Sequence, residues 1–156
     1  MNAENADNET HIMALAMDEA RAAAGRGEVP VGAVVVDRRT GEIVSRAGNE
    51  TEATADPTAH AEILAIRRAA RALGSARLPD CDLYVTLEPC AMCAAALSFA
   101  RIRRLYFGAY DPKGGGVEHG AKVFSHATCH HAPEVIGGLR ESEAAALLKG
   151  FFEERR

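Results

Sequence analysis

Apolar positions recur at helical spacing between His11 and Ala24, with Ile12, Leu15 and Ala16 on one stripe and Asp18, Glu19 and Arg21 off it. This predicts an amphipathic helix that stops at Gly25 and Gly27, because glycine is the common residue just past a helix end. Residues 1–9, polar and acidic, are expected to form a disordered lead-in. Val31-Gly-Ala-Val-Val-Val36 is β-branched, too short for a helix and closed by Asp37, and so predicts a strand. A turn at 38–41 leads to a second strand, Glu42–Ala47, making a hairpin. Polar residues 49–58 then form a loop ending in Asp56-Pro57-Thr58, a helix-start signature with Thr58 as the N-cap.

The next helix, about 59–73, puts Ile63, Ile66, Ala70 and Leu73 at inward spacing and turns Arg67, Arg68 and Arg71 to solvent. Leu83–Leu87 predicts a third strand, Cys90–Ala100 a helix of small residues, Arg104–Gly108 a fourth strand and Glu134–Leu139 a fifth. A Gly- and His-rich loop of about twenty residues precedes the fifth strand, and loops that long in compact domains are usually functional. Glu141–Glu154 closes the chain as a helix carrying Leu147, Leu148, Phe151 and Phe152 as core residues. The order predicts one domain over residues 10–156: a mixed five-stranded sheet between helical layers.

Composition narrows the class. At 156 residues, 47% hydrophobic and 26% charged, the chain reads as an ordinary globular domain. No apolar run approaches the roughly 20 residues of a membrane span, and the N-terminus resembles no export signal, so a cytoplasmic protein without a membrane partner is expected. Four cysteines then point to metal ligation or burial rather than disulfides. The net charge of −4 argues against indiscriminate nucleic-acid binding, but it is uneven. Residues 1–62 carry 5 basic and 12 acidic groups, residues 63–156 carry 13 and 10, and all eight aromatics lie in the second half.

The chemistry concentrates at two helix starts, His60-Ala61-Glu62 and Pro89-Cys90-Ala91-Met92-Cys93. Cys90 and Cys93 are i and i+3, so their sulfurs share one face of a first turn, where the helix dipole favours thiolate. His60 opens the neighbouring helix. Two such turns at one sheet edge bring a His and two Cys together as a three-ligand zinc set, which leaves a fourth position for water. Zinc lowers the pKa of bound water to about 7, and Glu62, two residues from His60, is placed to shuttle protons. A Cys-x-x-Cys alone is equally consistent with redox chemistry, structural metal or plain core; His60 and Glu62 together favour the catalytic metal.

These strings carry a resemblance. Glu28-Val-Pro-Val-Gly-Ala33, Asp56-Pro-Thr-Ala-His-Ala-Glu62, Thr86-Leu-Glu-Pro-Cys-Ala-Met-Cys93, Arg101-Ile-Arg-Arg-Leu-Tyr-Phe-Gly108 and Phe151-Phe-Glu-Glu-Arg-Arg156 resemble the bacterial tRNA-specific adenosine deaminases, members of the zinc-dependent cytidine/deoxycytidylate deaminase superfamily. The likeness runs from about Met13 to the C-terminus. It implies a three-layer α-β-α cytidine-deaminase-like fold and one Zn2+ per subunit held by His60, Cys90 and Cys93, with Glu62 as the catalytic proton shuttle. It further implies Asn49 on the flipped base, backbone groups around Ala61 and Pro89 lining the base pocket, and Asp111 near the nucleotide. The implied activity is hydrolysis of the wobble adenosine of an arginine tRNA to inosine by a homodimer that binds the tRNA anticodon stem-loop. The chain departs from the family at His130-His131 and in the glycine-rich run Asp111–Gly116, both where substrate would enter.

Other features have plainer readings. Gly114–Gly116 lacks the Gly-Lys-Ser/Thr of a phosphate loop and is expected to be a flexible turn. His119, His126, His130 and His131 with Cys129 are expected to bond locally or to touch RNA rather than to hold a second metal. Cys81 and Cys129 are expected to be buried free thiols. Arg101, Arg103 and Arg104 are candidates for RNA or partner contact, and Arg155 and Arg156 for a dipole or anticodon-stem contact. Two alternatives stand beside the tRNA reading: a deaminase of a free base or nucleoside (guanine, cytosine or cytidine), and a non-catalytic zinc module with Cys129 as fourth ligand.

Overall fold

The computed structural model describes residues 3–155. In chain order the elements are α1 (Ala3–Gly25), β1 (Gly32–Asp37), β2 (Glu42–Gly48), α2 (Ala61–Leu73), β3 (Cys81–Leu87), α3 (Ala91–Phe99), β4 (Arg104–Ala109), a 3-10 turn (Val123–Ser125), β5 (Glu134–Ile136) and α4 (Glu141–Glu153). The five strands form one sheet in the order β2-β1-β3-β4-β5. β1 runs antiparallel to β2 and to β3, whereas β3, β4 and β5 are parallel, so the expected mixed sheet and hairpin are both present.

Side-chain alternation along the strands builds the two outer layers. Ala33 and Val35 of β1, Leu83 and Val85 of β3, and Leu105 and Phe107 of β4 face α2 and α3. Val34, Val36, Tyr84 and Tyr106 face Ile12, Met13 and Ala16 of α1. α4 joins the α1 side, where Ala144 meets Met17 and Ala109. The result is the expected three-layer α-β-α arrangement.

Close approach of a helix to the hairpin explains two glycines. Gly32 and Gly48 are cross-strand partners beneath α1. A Cβ on Gly32 would lie 2.0 Å from the Ala16 carbonyl oxygen, and one on Gly48 would lie 2.8 Å from that of Glu19. α2 makes a similarly close contact on the other face: its buried stripe is Ala61, Ala65 and Ala69, not the predicted Ile63, Ile66, Ala70 and Leu73. Leu64, Ile66 and Leu73 pack against the edge of that core instead, half-buried.

α1 begins at Ala3, so no disordered lead-in spans residues 3–9. Glu9 is buried and accepts a hydrogen bond from Tyr106 Oη at 2.6 Å, which ties this early part of the helix to β4. At the other end of the chain Phe151 is buried as expected, but Phe152 is about half-exposed. Arg156, with Met1 and Asn2, lies outside the described residues. No described helix is long and apolar enough to cross a membrane.

Candidate active site

β3 ends at Leu87, and Glu88 and Pro89 lead directly into α3. The loop after β2 leads into α2 at the same end of the sheet, so the two helix starts converge. His60 and Cys90 each occupy the N-cap position with extended backbone, and neither side chain caps its own helix. Serine, threonine, aspartate or asparagine at that position would stabilise the helix by about 1 kcal/mol. Forgoing that leaves both side chains free to point at each other. Thr58 is not the cap; its N–H and hydroxyl both donate to Asp56 Oδ1 in the preceding turn.

His60 Nδ1 lies 3.7 Å from Cys90 Sγ and 3.5 Å from Cys93 Sγ. The donor atoms of these three residues all fall within 4.8 Å of one another. Zinc bonded at 2.3 Å to sulfur and 2.0–2.1 Å to nitrogen in a tetrahedron separates N from S by roughly 3.6 Å, so the donor set fits that ion. The electrostatics agree. Cys90 is pulled down to about 5, chiefly by the Cys93 thiol donating to it, with the N–H groups of Cys93 and Met92 and the nearby His60 adding to the effect against burial. Cys93, holding the shared proton in a buried position, is pushed up. A bound divalent cation would displace that proton and leave two thiolates.

Glu62 is 4% exposed at the start of α2. Burial raises its pKa above the ordinary carboxylate range, and the charge of Cys90 adds to the rise. A carboxyl group so placed, beside the pocket and the Cys/His cluster, can exchange protons with a bound substrate.

A pocket of about 320 Å³ opens beside these groups, lined by His60, Glu62, Cys90, Asn49, Asp111 and Gly114 among others. Asn49 is buried, and its Oδ1 accepts the Ala61 N–H at 2.8 Å. Its Nδ2 is therefore left to offer donors. Arg26 donates to the Asn49 carbonyl at 3.3 Å and the Asn49 N–H donates to Val31, fixing its backbone as well. Asp111 Oδ1 accepts from the N–H groups of Lys113 and Gly114, which caps its own turn.

Ala61 and Pro89 each sit between two residues that line the pocket, His60 and Glu62 in one case and Glu88 and Cys90 in the other. The Ala61 N–H is taken by Asn49, and the Pro89 carbonyl accepts from Gly116 N–H at 2.8 Å. Gly114–Gly116 is not a flexible turn. A Cβ on Gly115 would lie 2.4 Å from Glu88 Oε2, and one on Gly116 would lie 2.5 Å from the Ala91 nitrogen, so this backbone is pressed against the start of α3.

Sequence reasoning missed two carboxylates. Glu28 is buried and accepts from Glu52 N–H, Ala53 N–H and the Thr51 hydroxyl, at 3.0, 2.8 and 3.2 Å. Glu88 accepts from four backbone N–H groups of the loop after β4. Burial works to raise both pKa values, but the donated hydrogen bonds outweigh it and hold both below 4.5. The available signal was an acidic residue inside each apolar string.

Three of the four loop histidines bond within the protein, as expected: His119 Nδ1 to Glu88, His126 Nε2 to the Ala121 carbonyl, His131 Nε2 to the Ile102 carbonyl. Among the described residues His60, Cys90 and Cys93 form the metal-competent cluster, and Cys129 instead donates to the His131 carbonyl. Cys81 is a buried free thiol and Cys129 a partly buried one.

A deaminase model, that of the MafB19-like deaminases, matches residues 7–156. The tRNA-specific adenosine deaminase of Agrobacterium fabrum is 62% identical over 147 residues, covering 94% of this chain and 95% of that protein. The chain belongs to the tRNA-specific adenosine deaminase family. The Rickettsia bellii member is 47% identical, covering 90% of this chain and 97% of its own. A solved structure from work on A-to-I editing by tRNA:A34 deaminases at the wobble position superposes with a TM-score of 0.86, at 62% identity, over 89% of this chain and 99% of that one. The sheet and helix arrangement of this family member thus matches a deaminase fold over 89% of the chain.

Proposed function

We propose that this family member hydrolyses the adenosine at the wobble position of an arginine tRNA to inosine, using one zinc ion held by His60, Cys90 and Cys93. The observation that carries the reading is the convergence of this ligand set, a buried Glu62 and a donor-bearing Asn49 on one pocket. The tRNA substrate is supported by relatives named for it, at up to 62% identity across nearly their full length. When bound, zinc would supply a water activated at neutral pH.

This chain's residues account for the remainder. Asn49 Nδ2 offers donors to the ring-nitrogen acceptors of a purine taken out of the base stack. Glu62 takes a proton from the attacking water and delivers it to N1 as the water oxygen bonds to C6. It then takes the second water proton from the C6 hydroxyl and passes it to the exocyclic nitrogen, the C6–N6 bond breaks, and ammonia leaves. The products are inosine and ammonia from adenosine and water.

A homodimer fits the exposed apolar side chains of α3, Met92 at 36% and Phe99 at 76%. A cytoplasmic site of action follows from a tRNA substrate.

The deciding experiment compares zinc-loaded protein on an arginine-tRNA anticodon stem-loop with guanine, cytosine and cytidine, and includes Glu62→Gln. Inosine is expected in the RNA, together with a dimer mass by light scattering. Glu62→Gln should retain zinc and lose turnover by about 10²–10⁴-fold. Ammonia from a free base with none from RNA would move the function to the free-base class. Undiminished turnover in the variant would remove Glu62 from proton transfer.

A further inference from the structure

Glu88 is not among the metal-competent residues, yet its carboxylate is fully enclosed. Oε1 accepts the Asp111 N–H at 3.0 Å, and Oε2 accepts the N–H groups of Val117, Glu118 and His119 at 3.2, 2.9 and 3.1 Å. His119 Nδ1 lies 2.8 Å from Oε1. Four backbone donors from the two ends of one loop therefore end on a single side chain. Only an ionised carboxylate, with about four lone-pair sites and no proton of its own, accepts all of them. Glutamine would turn an NH2 toward an N–H.

The same segment forms part of the pocket wall through Asp111 and Gly114. It is locked further where Gly116 N–H donates to the Pro89 carbonyl and Val123 N–H to the Gly116 carbonyl, at 2.8 and 2.9 Å. Residues 112–114 are exposed, so that stretch has no apolar burial of its own to set its path.

We infer that Glu88 is a positioning residue for the deamination: its carboxylate holds residues 111–119 in place as a preformed wall of the substrate pocket. The inference rests on the adenosine-deaminase reading for its substrate, and on the hydrogen bonds alone for the loop. Because the wall is built before substrate arrives, its ordering cost is met in folding rather than in binding. Loss of the clamp therefore weakens substrate capture more than the chemical step.

The test uses full-length zinc-loaded protein and its Glu88→Gln, Glu88→Asp and Gly115→Ala variants, assayed on the stem-loop RNA with zinc content and amide exchange followed. Glu88→Gln is expected to keep its zinc, raise KM about tenfold with kcat within threefold, and speed exchange at 117–119 at least tenfold. Exchange in β1 and β3 should not change. Gly115→Ala pushes on Glu88 from the loop side without altering its charge and is expected to show the same pattern, even if a Glu88 variant folds poorly. Glu88→Asp, one methylene short, should not restore KM. Wild-type KM or wild-type loop exchange in Glu88→Gln and Gly115→Ala overturns the inference, as does a fall in kcat at unchanged KM. A wild-type protein inactive on RNA overturns the substrate reading instead, and the exchange arm then decides the clamp by itself.

Discussion

The two ends of the sheet hold their buried carboxylates by different means. At the end where β3 feeds α3, Glu28 and Glu88 are held mainly by backbone N–H groups. At the opposite end, Asp82 accepts from Arg38 Nε at 2.6 Å and from Arg103 Nε and Nη2 at 2.9 and 2.7 Å. Asp37, alongside it, accepts from the Arg39 guanidinium and also from the Arg39 N–H at 3.0 Å. At Asp82 the guanidinium groups join side chains from separate segments and leave the main chain to the sheet ladder. Backbone donors instead fix the path of the main chain itself, which is what a pocket made of loops needs. They also bring no full positive charge of their own toward the metal-competent cluster of His60, Cys90 and Cys93.

The largest stability effect should come from breaking the arginine end. Asp82 is fully buried, while Arg38 and Arg103 are 23% and 39% exposed. Asp82→Ala leaves Arg38 partly desolvated beside Tyr84 without its counter-charge. A loss of about 3 kcal/mol is expected, the low end for a broken buried pair, because water reaches both arginines. Urea unfolding should show it, with kcat/KM per folded molecule unchanged. A large fall in kcat/KM would mean that the two ends are coupled rather than separate.

Glu28→Gln should cost less, about 2 kcal/mol, since one of the N–H groups of Glu52 and Ala53 would face an amide donor. Its pH dependence gives the sharper result. Glu28 titrates below its ordinary value of 4.5 in the folded protein, because the hydrogen bonds of 51–53 and the charge of Arg26 outweigh burial. Its contribution is therefore complete above pH 4.5 and is lost as pH falls through the folded value. The stability gap between wild type and Glu28→Gln should shrink below pH 4.5 and stay constant from pH 5 to 8. A gap that stays unchanged into acid would show that the carboxylate charge is not what holds 51–53.

The asymmetry between the ends also explains what was legible in the sequence. His60-x-Glu62 and Pro89-Cys90-x-x-Cys93 were readable because their chemistry lies in side chains at fixed spacing, and the structure brings the three ligands together. The anchoring roles of Glu28 and Glu88 were not, because their partners are backbone N–H groups that every residue but proline carries. The buried face of α2 was misread for a packing reason. Periodicity gives weight to Ile63, Ile66 and Leu73, but a helix lying close on the hairpin selects Ala61, Ala65 and Ala69. The succession of strands and helices along the chain was legible in short β-branched runs and helical periodicity, whereas the start of α1 depended on a distant contact, Glu9 to Tyr106. Splitting the charge into sequence halves was equally blind to space, since the second half supplies both Glu88 at one end of the sheet and Arg103 and Arg104 at the other.

Arg104 pairs with Glu134 at 2.6 Å, at side-chain exposures of 36% and 60%. It sits in register with Asp82 at the start of β4, while Leu87, beside the pocket, pairs with Ala109 at the strand's far end. Five residues of strand separate those positions, about 17 Å at 3.3 Å per residue. Arg104→Ala is thus expected to cost less than 1 kcal/mol, as exposed ion pairs do. It should leave KM for the anticodon stem-loop within twofold, and the salt dependence of binding should not change. If KM rises tenfold and the salt slope falls by about one, the RNA reaches the arginine end, and that end is a phosphate contact as well as a fastening.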